Sequence, residues 1–143
     1  MRPMSNSEAL EFLAEGSRTG KLAWVASDGR PHVAPIWFIV EDGDLLFATG
    51  TRSGKALAMA REPRVSLVVD TEAPPYAFVK VDGVVEISAD VDEIRRVSTL
   101  AGGRYMGADQ AESFGERNSG PGECLIRLRP TSITGVDGVA DWD

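Results

Sequence analysis

The chain holds one cysteine, Cys124, and one histidine, His32, among 143 residues. An intrachain disulfide is therefore excluded, and a lone thiol fits a reducing compartment. A zinc site of the usual Cys/His kind is equally out of reach. A Ser-His-Asp triad would have to use His32, which sits beside Pro31 just after a turn and reads as a surface or structural residue. No Gly-x-Ser-x-Gly elbow occurs. No apolar run approaches the ~20 residues that span a bilayer, and the N-terminus, Met1-Arg2-Pro3-Met4, has no secretion-signal pattern. We therefore expect a cytoplasmic protein with no membrane contact. Positive charge is scarce too: 15 Lys and Arg against 22 Asp and Glu give a net charge of −7. Nucleic acid is not an expected partner, because basic side chains supply most of that affinity.

What is present suits one domain over residues 1–143. Ser5 and Glu8 stand in capping-box spacing before a helix to Glu15. Lys21 to Ser27 alternates as a strand, Asp28-Gly29 marks a hairpin, and His32 to Val40 reads as the returning strand. Pro35 cannot donate to a ladder, so this strand should lie at an edge or carry a bulge. Leu45 to Thr49 is a strand, Gly54 to Arg61 a helix stopped by Pro63, and Arg64 to Asp70 a buried strand. Tyr76 to Ser88 reads as a long strand with a bulge or turn at Asp82-Gly83. Asp90 to Tyr105 is helical, with Ile94, Val97 and Leu100 at core spacing, and a shorter helix covers Asp109 to Arg117. Cys124 to Pro130 and Ile133 to Val136 are two further strands, before an acidic tail that carries Trp142. Six or seven strands joined by hairpins, with helices inserted rather than alternating, predict an α+β fold, mainly antiparallel β, closed as a barrel.

One segment looks built for a ligand. Thr49-Gly50-Thr51-Arg52-Ser53-Gly54-Lys55 lies where a strand ends and a helix begins. The first helical turn exposes unpaired N–H groups in a favourable dipole field. Hydroxyls from Thr51 and Ser53, the fork of Arg52 and the charge of Lys55 would complete a phosphate cradle. The same residues also read as a Ser53-capped helix with two exposed charges. It is not a P-loop: three residues separate Gly50 from Gly54, and Ala56 follows Lys55. Nearby, Arg52, Lys55, Arg61 and Arg64 face only Glu62, a local basic segment in an acidic chain. Any redox chemistry must come from a cofactor.

Longer runs carry a resemblance. Gly20-Lys21-Leu22-Ala23-Trp24-Val25, Gly29-Arg30-Pro31-His32-Val33-Ala34-Pro35-Ile36-Trp37-Phe38, Ser53-Gly54-Lys55-Ala56-Leu57 and Arg61-Glu62-Pro63-Arg64-Val65-Ser66-Leu67 are similar to the pyridoxamine-5′-phosphate-oxidase-like superfamily of flavin and deazaflavin proteins. Within it the chain most resembles the short deazaflavin-dependent reductases. The resemblance covers about Leu10 to Val136. It implies a split β-barrel of the FMN-binding-protein-like kind, and a homodimer with the cofactor in a groove between subunits. The cofactor so implied is coenzyme F420, with FMN as the alternative. It further implies that Thr51, Arg52, Ser53 and Lys55 hold the cofactor phosphate and that Pro35, Ile36, Trp37, Thr49 and Gly50 line the ring. Ala77, between Tyr76 and Phe78, would approach from the partner subunit. Two departures matter. The extended C-terminal part of true pyridoxamine-phosphate oxidases is missing from this sequence, so vitamin B6 oxidation is not expected. Gly54 stands where many relatives have a second basic residue, which Arg52 would have to replace. The implied reaction is hydride transfer to a small conjugated acceptor. A flavin, deazaflavin or haem carrier without turnover, and a purely structural dimerisation module, are the competing readings.

Overall fold

Strand β1 (Arg2–Pro3) and helix α1 (Asn6–Ala14) open the chain in the computed structural model, which describes residues 1–142. The capping box forms as expected: the Ser5 hydroxyl accepts from the Glu8 N–H, and the Glu8 carboxylate accepts from the Ser5 N–H. Strands β2 (Gly20–Val25) and β3 (Pro31–Ile36) then make the hairpin set by Asp28-Gly29, with Gly29 at a positive φ of 86° and the Asp28 carboxylate accepting from the Arg30 N–H. Next come β4 (Ile39–Glu41), β5 (Asp44–Gly50), α2 (Gly54–Arg61), β6 (Arg64–Asp70) and β7 (Phe78–Ser88). Helix α3 (Val91–Met106), a 3-10 turn at Ala108–Gln110, α4 (Ala111–Arg117) and β8 (Glu123–Asp137) complete the described chain.

All eight strands form one antiparallel sheet in the order β3-β2-β6-β7-β8-β5-β4, with β1 added to β8. Pro35 lies in β3, an edge strand, where its missing N–H breaks no ladder. The sheet is a barrel for a reason visible in the connectivity. Its two edge strands, β3 and β4, are separated in the chain by Trp37 and Phe38 alone. So short a link reaches only about 10 Å, so the sheet must curl until its edges approach. The result is an α+β split β-barrel.

This closure corrects the reading of His32 to Val40 as one strand. At Trp37-Phe38 the chain leaves one edge for the other, and the ladder cannot satisfy Phe38 there. Helix α3 does so instead: the Tyr105 hydroxyl meets the Phe38 N–H at 3.3 Å, and Arg104 donates to the Phe38 carbonyl at 2.7 Å. Arg104 also donates to the Leu13 and Gly16 carbonyls at the end of α1, and its guanidinium lies 4.6 Å from the Phe38 ring centroid. A second correction joins two expected strands into β8. Asp82 faces Ser132 while Gly83 faces Pro130, so Thr131 is the extra residue of a bulge. The bulge absorbs Pro130, which would otherwise have ended the strand. Its position at Asp82-Gly83 agrees with the sequence. The long strand starts at Phe78, not Tyr76, whose φ is +67°.

Two cores flank the sheet. Leu45 and Phe47 of β5, with Cys124, Ile126 and Leu128 of β8, point into the barrel with Leu13, Leu22, Phe38 and Leu67. Leu46 and Leu125, on the opposite faces of the same strands, pack with Ile94, Val97 and Ala101 of α3. Burial on both faces explains the unalternating Leu45-Leu46-Phe47 run. Leu100, expected in the core, is 48% exposed. The buried face of α3 runs through Ile94, Val97 and Ala101 instead, which turns Leu100 to solvent. Trp37 packs against Tyr105 and Phe114, as a core tryptophan. The tail is docked as far as Ala140 by hydrogen bonds from Val139 and Ala140 to the Tyr76 and Pro75 carbonyls, while Trp142 is fully exposed.

Two outcomes follow from these contacts. Arg104→Ala strips three carbonyls of a charged donor and should destabilise the protein by roughly 2–3 kcal/mol, read as a lower urea midpoint. An unchanged midpoint would show that the seam does not depend on it. The hydrogen bond from Arg2, then those from Ser5, hold the Glu8 carboxyl at about 2, below its ordinary 4.5. A depressed folded pKa contributes stability above the unfolded value and loses it as pH falls toward the folded one. Glu8→Gln should thus lower the thermal midpoint at pH 6, by an amount that shrinks between pH 4.5 and pH 2.

Candidate functional site

The turn from β5 into α2 is built by hydrogen bonds that leave particular donors over. The Thr51 N–H donates to the Gly122 carbonyl at 2.7 Å, and the Ser53 N–H to the Gly50 carbonyl at 3.0 Å. Ser53 caps α2, its hydroxyl accepting from the Ala56 N–H at 3.1 Å and lying 3.4 Å from the Thr49 hydroxyl. The Gly54 and Lys55 N–H groups of the first turn have no acceptor among the described residues. They are the donors an anion would use. A Cβ at Gly54 would meet nothing within 4 Å, so the approach to them is open. Arg52 and Lys55 form no ion pair among the described residues. Arg64, by contrast, is held by Glu62, Arg96 by Glu41 and Glu93, and Arg127 by Asp44. The two free amides and the unpaired Lys55 therefore lie together at the start of α2.

The two cations diverge. The Lys55 ammonium lies 5.9 Å from the Trp24 ring centroid, and Trp24 stacks on His32 at 5.8 Å with their planes 13° apart. Arg52, with Gly50, Thr51 and Ser53, instead lines a cleft of about 1000 Å³. Its other walls are Ala89, Val91 and Ile94 at the start of α3, and Ser119 to Glu123 before β8. The sequence reading missed Trp24 as a site neighbour. The signal was available in the Asp28-Gly29 hairpin, whose register sets Trp24 opposite His32. Nothing local marked Gly120-Pro121-Gly122 or Val91, which reach the turn only through the tertiary fold.

The remaining candidates are scattered in one chain. Pro35 is exposed on the edge strand, opposite Lys21. Ile36 is buried in the barrel core, and Trp37 lies under α3 and α4. Thr49 is 8% exposed. Ala77 lines a separate cleft of about 590 Å³ with Lys21 and Tyr76, which includes none of residues 49–55. Cys124, opposite Thr49, is buried, and burial pushes its thiol up from the ordinary value. Such a thiol is a poor nucleophile. Burial likewise raises Tyr105, whose hydroxyl is engaged by the Arg18 carbonyl. Among the described residues no cluster of His, Cys, Asp and Glu could hold a metal ion, and no helix is long and apolar enough to cross a membrane.

The family model described as pyridoxamine 5′-phosphate oxidase matches residues 6–137, and the chain belongs to that family. Among solved structures, a conserved hypothetical protein of Mycobacterium tuberculosis is 28% identical, with a TM-score of 0.83 over 94% of this chain and 86% of the other. An F420 reductase is 27% identical, with a TM-score of 0.65 over 86% of this chain and 94% of its own. General stress protein 26 of Bacillus anthracis is 25% identical, with a TM-score of 0.72 over 94% and 95% of the two chains. No curated protein matches.

The cap itself is testable. Ser53→Ala should cost about 1 kcal/mol, while Gly54→Ala, placed in open space, should stabilise by about 0.5 kcal/mol through the unfolded state. Equal and opposite thermal shifts of the wrong sign would overturn this account of the turn.

Proposed function

We propose that the protein binds a phosphorylated flavin-type cofactor, coenzyme F420 in preference to FMN, and works as a reductase on a small conjugated organic acceptor. The observation that carries this reading is the first turn of α2, where the Gly54 and Lys55 amides and the Lys55 ammonium lack any acidic partner among the described residues. Family membership supports a cofactor of this kind, and the F420 reductase neighbour favours the deazaflavin. Lys55 and the two amides hold the phosphate, with Thr51, Arg52 and Ser53 shaping the turn around it. Pro35, Ile36, Trp37, Thr49 and Gly50 border the ring. Gly54 adds no charge where many relatives carry one, so Lys55 bears most of the electrostatic load.

A homodimer completes the reading. The outer face of the barrel exposes Val25, Val33 and Val84, beside a shallow groove of about 410 Å³ bordered by Trp24, Val25 and Val84. A second copy on that face would bury this apolar patch. It would also supply Ala77, which within one chain lines a different cleft. The cofactor, when bound, supplies the hydride that the side chains lack. The protein's part is to hold donor and acceptor in contact, exclude water, and leave protonation to solvent.

Fluorescence titration with oxidised F420 and with FMN tests the reading. Micromolar or tighter F420 binding is expected, weakened roughly 10- to 100-fold by Lys55→Ala through loss of a charge-assisted hydrogen bond. Steady-state oxidation of reduced F420 by a conjugated acceptor should follow. Preference for FMN would change the cofactor and keep the site. Tight binding with no acceptor reduced would make the protein a carrier. Binding of neither would remove the cofactor reading.

A further inference from the structure

We propose that the cleft beside Arg52 is a second ligand site, for a small molecule with a flat or aliphatic apolar body and a single carboxylate or sulfonate. The cleft shares Gly50, Thr51, Arg52 and Ser53 with the proposed cofactor turn but is not lined by Lys55, so binding there is separable from the cofactor reading at that residue. At about 1000 Å³ the space is at the upper end of what small-molecule sites occupy.

The walls are held together before any ligand arrives. The Thr51 N–H binds the Gly122 carbonyl, and Gly50 pairs with Glu123 in the β5–β8 ladder. The Glu123 N–H closes the loop onto the Gly120 carbonyl at 3.3 Å. Their surface is open and mostly apolar. A Cβ built on Gly120 or Gly122 meets nothing within 4 Å, and one on Gly50 meets nothing nearer than 4.0 Å. Ile94, 2% exposed, and Ala89 and Pro121 are apolar lining, and Val91 stands 62% exposed to solvent. Such a lining favours burial of an apolar body.

Charge then selects the ligand. Arg52 is the one basic residue of the lining, and it has no acid partner among the described residues. The N-terminus of α3, nearby, is closed to an incoming anion: the Asp90 carboxylate already accepts from the Asp92 and Glu93 N–H groups. Glu123 is the one carboxylate of the lining and makes no ion pair with Arg52 among the described contacts. It disfavours a second negative charge. A monoanion with an apolar body satisfies all of these, whereas a polyanion or a cation does not. The Arg52 fork matches a carboxylate in two parallel hydrogen bonds.

The probes are 2-naphthoate, its uncharged analogue 2-naphthamide, and anilinonaphthalene sulfonate, titrated by calorimetry and fluorescence against the full chain. Naphthoate should bind once per chain and displace the sulfonate dye. Arg52→Gln should weaken naphthoate 5- to 20-fold and leave naphthamide unchanged. Gly120→Phe, which fills the cleft from a position with no positive φ and no neighbour within 4 Å, should abolish both. Lys55→Ala should alter naphthoate binding by less than twofold, while weakening F420 or FMN. Absence of saturable naphthoate binding, insensitivity to Arg52→Gln and Gly120→Phe, or equal loss with Lys55→Ala would each overturn the proposal. If F420 and FMN both fail to bind while naphthoate behaves as described, the cofactor reading falls and this one stands.

Discussion

The backbone of Phe38 is where the two edges of the sheet are tied. A barrel whose edge strands are consecutive in the chain has one place where the ladder must stop, and the groups exposed there need other partners. Here they are side chains of one helix: the Tyr105 hydroxyl at the Phe38 N–H and the Arg104 guanidinium at its carbonyl. Arg104 is half-buried without a carboxylate and spends its other donors on the carbonyls of Leu13 in the last turn of α1 and of Gly16 just beyond it. One residue thus fixes α1, the seam and α3 to each other. It does so through carbonyl dipoles, which the C-terminal end of a helix offers to a cation.

With the seam fixed, the site follows. Closure holds β4 near β3, the Asp42-Gly43 turn pairs β4 with β5, and β5 is packed on both faces, by the barrel core and by α3. A strand held so firmly delivers the turn at Thr51 to Ser53 to one place. The Ser53 cap then starts α2 with two amides unspent. Electrostatics act locally in a chain of net charge −7. Arg61, Arg95, Arg104 and Arg117 also lack an acidic partner among the described residues, but only Arg52 and Lys55 do so on either side of the turn that leaves two amides unspent. Their divergence, Lys55 toward the Trp24–His32 stack and Arg52 toward the α3 cleft, allows one turn to face two ligands.

Local chemistry was legible in the sequence, and distance was not. The Ser5–Glu8 capping box, the Asp28-Gly29 hairpin, the edge position of Pro35, the bulge at Asp82-Gly83 and the Ser53 cap all follow from rules that operate within a few residues. The break at Trp37-Phe38 did not announce itself, because alternation continues through it and only the sheet order forbids a single strand. Pro130 misled in the other direction, since a bulge seen only in the pairing with β7 accommodates it. Leu100 sat at helical spacing from Val97, yet which face of α3 is buried depends on where β5 and β8 present Leu46 and Leu125. The turn of the candidate site was evident from residues 49–55, whereas the cleft beside it combines three segments far apart in the chain.

The most direct test of the central claim is a crystal structure of the protein with F420 or FMN bound. The account predicts a homodimer with the cofactor phosphate against the Gly54 and Lys55 amides, the Lys55 ammonium turned onto it, and the ring beside residues 35–37. A phosphate bound away from the first turn of α2, or a monomer binding the ring without β3, would contradict it.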